Sequence, residues 1–133
     1  MVTLTKKQAL TAIIWVRFIV GGFSWFFPKA MAEIMLIDPE ANPALSYGLR
    51  LFGVRDVLMG ILLQDFKGEA LDRQLQIGVA IDLIDVTASG LAGLTGQIPK
   101  RAAILCCCAG LVGASLGAAS LGKGPLSKKT IAH

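Results

Sequence analysis

The chain has 133 residues, 54% of them hydrophobic and 17% charged, with 13 Lys and Arg against 9 Asp and Glu and a mean hydropathy of +0.65. A single compact unit of this size exposes much surface per volume, so a composition this short of polar cover belongs to a membrane-embedded protein rather than a water-soluble domain. The net charge of +4 and pI near 9.2 do not indicate nucleic-acid binding, because the basic residues are scattered at segment ends instead of gathered in one stripe.

Lys6 and Lys7 lead into a first apolar span, Ala9–Phe27, which carries Trp15 and closes on Phe23, Trp25, Phe26 and Phe27. The lysine pair and Ala30-Met31-Ala32 imitate a cleaved signal, but Arg17 interrupts the apolar run where a signal needs continuity, so the segment is read as a retained helix. Pro28 stops it. Pro28–Leu36 puts Ala30, Met31, Ile34 and Met35 on one side and Lys29 and Glu33 on the other, the pattern of a short helix lying in the interface. Asp38-Pro39 and Asn42-Pro43 mark turns. Tyr47–Gln64 is the second span, Asp65–Gln74 a charged loop, Leu75–Leu94 the third span and Ala102–Leu121 the fourth. Thr95–Arg101 is a turn, and Gly122–His133 reads as a frayed basic tail.

The predicted fold is therefore all-α, a single transmembrane domain over residues 1–133 with four spans at about 9–27, 47–64, 75–94 and 102–121. Lys6, Lys7, Lys67, Arg73, Lys123, Lys128 and Lys129 fall on the side of both termini, against Lys29, Lys100 and Arg101 on the other. That bias predicts an integral membrane protein with both termini cytoplasmic, in the endoplasmic reticulum if the cell is eukaryotic.

Cys106, Cys107 and Cys108 are consecutive and form no disulfide framework; they read as small buried apolar residues, with palmitoylation as the alternative. The one histidine is His133, which leaves no histidine for catalysis, haem or zinc within the spans. No Rossmann, P-loop, HExxH or GxSxG pattern occurs, and no cofactor is expected.

The informative stretch is Ile77–Gly93, where Asp82 and Asp85 share a helix face with Gly78, Ser89 and Gly93. Arg17 lies near the middle of the first span and Arg55-Asp56 near the middle of the second, with Arg50 a turn nearer the interface. Three arginines and three aspartates are thus expected to face one another at one depth, as a formally neutral cluster. A lone charge there costs at least about 2.5–3.5 kcal/mol, so such groups turn inward and pair. Gly21 and Ser24, Gly53, Gly60 and Gln64, and Cys106, Gly110, Gly113 and Gly117 line the same faces, and the small residues among them let the helices approach.

Two readings follow. The cluster is either a salt-bridge lock that fixes helix register or a polar pocket for the head of a lipophilic molecule. The number of charges favours the pocket, since one pair suffices for a lock. Asp56, Asp82 and Asp85 are then the catalytic candidates, and Arg17, Arg50 and Arg55 the substrate-binding ones. Asp82-Leu83-Ile84-Asp85 also invites comparison with aspartate motifs that hold magnesium and diphosphate, but such enzymes need several carboxylates plus basic phosphate ligands, whereas this chain has one DxxD and few helices, and no metal is expected.

Arg50-Leu51-Phe52-Gly53-Val54-Arg55-Asp56, followed by Asp82-xx-Asp85 and Ser89-Gly90-Leu91, resembles a family of small four-helix integral membrane proteins common in fungi, itself distantly similar to DoxX-type membrane proteins. The likeness covers about the first three spans. It implies a four-helix membrane fold and, in fungi, membership of natural-product pathways; it transfers no catalytic residue. Three functions are carried forward. The first is a membrane enzyme, or an accessory subunit of one, that isomerises, cyclises or opens an epoxide in a lipophilic metabolite by acid–base chemistry. The second is a small transporter or binding protein for such a molecule. The third is a structural module that joins a larger membrane partner, or its own copies, through the glycine face of the fourth span. The lipid bilayer is the common partner; nucleic acid is not one.

Overall fold

The computed structural model describes residues 2–128; Met1 and residues 129–133, among them the Lys129 counted for orientation and His133, lie outside the described residues. The helices in chain order are α1 (Lys6–Phe26), α2 (Pro28–Ile34), α3 (Ala44–Asp65), α4 (Gly68–Leu94) and α5 (Lys100–Ser120). Among the described residues there is no strand, only an isolated bridge between Leu4 and Ser127.

Local chemistry sets the boundaries. Thr5 caps α1: its hydroxyl accepts from the Gln8 amide at 3.2 Å, and the Gln8 side chain accepts from the Thr5 amide at 3.0 Å, a reciprocal capping box. Pro28 ends α1 and, with its fixed φ and missing donor, opens α2. In α2 Pro28 and Ala32 are buried against the bundle, and Ile34 is 59% exposed. Asp38 accepts from the Glu40 amide at 2.9 Å and turns the chain toward α3.

The predicted charged loop Asp65–Gln74 shrinks to Phe66-Lys67, because α4 starts at Gly68, two turns early. Its opening residues, Glu-Ala-Leu-Asp-Arg-Gln, are mostly good helix formers; their polarity keeps them out of lipid without keeping them out of a helix. Residues 122–128 of the tail are also more ordered than expected. The Leu4 amide donates to Leu126 O at 2.8 Å and the Lys128 amide to Leu4 O at 2.9 Å. Leu4, Leu71, Leu121 and Leu126 thereby cover a core of Ile13, Leu63, Leu75 and Leu116. Both ends of the described chain meet at one end of the bundle.

The four long helices run antiparallel in sequence order. α1 packs chiefly on α3 and α4 on α5; α1 and α5 join the two pairs, and the α3/α4 seam is the thinnest of these joints. At the α1/α3 crossing the backbones touch: a Cβ on Gly53 would stand 2.5 Å from Gly21 O, and one on Gly21 2.7 Å from Gly53 O. Gly53→Ala is therefore expected to push the helices apart and cost about 1–3 kcal/mol, as overpacking does. An unchanged melting temperature in detergent would show that this crossing is slack.

On α5, Gly110 receives Val86, Gly113 the Asp82 carboxylate and Gly117 Val79. The Gly113-xxx-Gly117 face is thus filled by α4, which corrects the expectation that it stands free for an outside partner. The outer surface is apolar, with Trp15, Ile19, Leu58, Ile84, Ile104 and Val112 among its exposed side chains. α1, α4 and α5 are long and apolar enough to cross a membrane. Oily outside and charged within, the molecule suits a lipid bilayer.

Candidate functional site

Four helices turn their small residues inward and bring the ionic side chains together. α1 buries Arg17, Gly21 and Ser24; α3 buries Gly53, Asp56 and Gly60; α4 buries Gly78, Asp82 and Gly93. Arg17 forks onto Asp82, with Nη1 to Oδ1 at 2.9 Å and Nη2 to Oδ2 at 2.6 Å. Both residues are almost sealed, 5% and 4% exposed. Glycine makes the room: a Cβ at Gly113 would lie 2.8 Å from Asp82 Oδ2, and one at Gly60 3.3 Å from the Arg17 Cβ.

A second fork spans the α3/α4 seam. Arg55 Nη1 donates to Asp85 Oδ1 at 3.2 Å and Nη2 to Oδ2 at 2.6 Å. This pair differs from the first in being open, each side chain 35% exposed. The Phe52 ring, 4.8 Å from the guanidinium carbon, backs Arg55 in a cation–π contact. Nothing in the residue spacing marks Phe52; only its place one turn before Arg55 hints at it.

Asp56 lies between the two forks. Its Oδ1 is 3.7 Å from Arg17 Nη1 and 3.7 Å from Arg55 Nη2, too far for hydrogen bonds, and it has no other partner. Arg17 Nε, Arg55 Nε and Ser24 Oγ are likewise buried without partners.

The expected aspartates are thus together with Arg17 and Arg55, but Arg50 is not with them. It is exposed, and its Nε donates to Trp25 O at 3.3 Å. The reason is angular: five residues carry a helix position about 140° past a full turn, away from Arg55. The same geometry puts Leu63 rather than Gln64 on the buried face, and swings Asp85 toward the seam while Asp82 points inward. The cluster is therefore not neutral by count: two guanidinium groups face three carboxyl groups.

Around Arg17 there is a cavity of about 20 Å³, lined in part by Ile13, Met59, Gln74, Gly78 and Gly117. That is room for about one water molecule, far below the several hundred Å³ of a ligand pocket. The Arg17–Asp82 fork is closed to any substrate, and the cluster reaches the outer surface at Arg55 and Asp85. Among the described residues no group of three or more His, Cys, Asp or Glu side chains is placed to hold a metal ion. The cysteines are less buried than expected: Cys106 and Cys107 are half-buried, Cys108 is exposed, and Cys107 Sγ lies 3.5 Å from Val86 O. Comparison with protein-family models, curated proteins and solved structures yields no match for this chain.

Proposed function

We propose that the chain is a four-span membrane protein that takes the polar group of a lipophilic metabolite at Arg55 and Asp85, through the α3/α4 seam, and converts it by acid–base chemistry. The observation that carries this reading is the half-exposed Arg55–Asp85 fork opening on an apolar surface. An ion pair left open at that depth is unfavourable unless something polar meets it. In this reading α3 is the remaining span: of its four charges, Arg50 is turned to Trp25, Arg55 and Asp56 to the cluster, and Asp65 closes the helix. The short α2, with exposed Lys29 and Glu33, lies along the interface.

Charge balance sets the protons of the cluster, with Asp56, 2% exposed, out of the substrate's reach. In a low-dielectric interior, two arginines and three carboxyl groups reach neutrality with one proton retained. Asp56 is the carboxyl that lacks a fork, and it carries that proton. Asp85, partly open, is the base, and Arg55, forked onto it, orients the substrate's oxygen. Asp85 can take a proton from one carbon and return it to another, which moves a double bond. Or it can take a C–H or O–H proton as a C=C or new C–O bond forms and the epoxide C–O bond breaks, then return the proton to the ring oxygen, which opens or cyclises the epoxide. None of these steps requires a redox partner. The resemblance to small fungal membrane proteins fits a natural-product substrate.

Membrane orientation is tested separately. A reporter at each terminus should read out on the same side, and the lysine bias makes that side the cytoplasm. Reporters on opposite sides would remove one of the four spans. The chemistry is tested by substituting Asp85, with stability and product formation measured on the same variant.

A further inference from the structure

The end of the bundle away from the termini carries a second feature that the seam does not use. A depression of about 440 Å³ there is lined by Phe26, Phe27, Pro28, Lys29, Ser46 and Arg50, and by no carboxylate. Resting on the membrane reading above, we infer that it is a binding site for a phosphodiester anion, the headgroup of an anionic phospholipid, with Arg50 and Lys29 as its ligands.

Arg50 is held from behind, since its Nε donates to the Trp25 carbonyl at 3.3 Å near the last turn of α1. No carboxylate lies within ion-pair distance of it among the described residues. It stands six residues, or about 9 Å, inside the start of α3. A guanidinium at that depth reaches for phosphate, whose oxygens match its planar fork. Lys29 adds a second cation from α2. Its partner is Glu40 at 3.4 Å, but the two side chains are 70% and 79% exposed, and such a pair exchanges readily for a stronger anion. The Ser46 hydroxyl can donate as well. Beside these groups Phe26 and Phe27, 72% and 59% exposed, provide the apolar wall on which an acyl chain lies. Trp25, 43% exposed, completes an aromatic group of the kind found at the headgroup level. Two cations, a hydroxyl and an apolar wall together describe a phospholipid, not a free ion.

The experiment uses the full chain purified in a zwitterionic detergent, with lipid retention followed by native mass spectrometry and by thermal stability. Phosphatidylglycerol should be retained over phosphatidylcholine of identical acyl chains. Arg50→Gln and Lys29→Gln should each weaken that retention about fivefold, whereas Lys100→Gln at the same end should leave it unchanged. Equal retention of the two lipids overturns the inference, as does undiminished retention in the double variant. If inorganic phosphate alone stabilises as well as the lipid, the site takes free phosphate and the lipid assignment is wrong. Alkaline extraction of membranes reads the membrane assignment independently: a chain that stays in the pellet but shows no lipid preference refutes this site and leaves the four-span reading standing.

Discussion

Asp82→Asn is expected to be the most destabilising single-atom change in the interior. The carboxylate accepts both arms of the Arg17 fork, and the pair is about 95% removed from solvent. An amide keeps the shape but turns an NH₂ toward one of two guanidinium donors, so one hydrogen bond becomes a donor–donor conflict. Removing one partner of a buried pair typically costs about 3–5 kcal/mol. The lower end applies here, because Asp56, 3.7 Å from Arg17, can release its proton and take up part of the charge. Gly113→Ala should act by the same route, since its Cβ would lie 2.8 Å from Asp82 Oδ2 and displace it. Asp56→Asn, in the same cluster, should cost less than about 1 kcal/mol, because it exchanges one neutral group with no close partner for another. Melting curves of the three variants in detergent give the ranking. If Asp56→Asn proved as damaging as Asp82→Asn, Asp56 would be a carboxylate and the charge balance proposed here would be wrong.

Much of this arrangement was legible in the residues, and the parts that were not have physical causes. Periodicity placed Arg17, Asp56 and Asp82 on buried faces, because a charge within an apolar helix has few places to go. Depth along the axis does not place Arg50; at five residues from Arg55 the angle around the axis decides. Polarity alone predicts a loop at Asp65–Gln74, yet a charged segment of good helix formers extends α4 instead. The pairing of the N-terminal stretch with the tail, Leu4 with Leu126 and Lys128, depends on tertiary proximity and leaves no local pattern. Most consequential for function, no spacing rule distinguishes a sealed ion pair from an open one. Asp82 and Asp85 are equivalent by type and nearly so by position, but three residues turn a helix about 60° short of a full circle. That angle sends one carboxylate into the bundle and the other into the seam.

The same angle separates scaffolding from chemistry, and Asp85→Asn is where the separation is measured. The Arg55–Asp85 pair is about one-third exposed, so its loss should cost about 1 kcal/mol or less. The cluster also has a way to compensate: with Asp85 neutral, Asp56 gives up its proton and pairs with Arg55, 3.7 Å away, leaving two arginines and two carboxylates. The fold survives and the chemistry does not, because the substitution removes the one carboxylate of the cluster that is open to the seam. Loss of a positioned acid or base lowers a rate by about 10²–10⁴-fold. Arg55→Lys should keep the charge and the fold while losing the planar fork that sets the substrate's oxygen against Asp85. Both variants are to be assayed in membranes with a lipophilic substrate bearing an epoxide or a conjugated carbonyl, beside melting curves of the same preparations. Stability near wild type with product formation abolished is the expected result. If instead Asp85→Asn melts as early as Asp82→Asn, and the remaining product tracks the folded fraction, the open pair is a second lock and the acid–base reading fails. If the wild type retains the substrate without converting it and Asp85→Asn releases it, the seam is a binding site for a lipophilic molecule with no turnover.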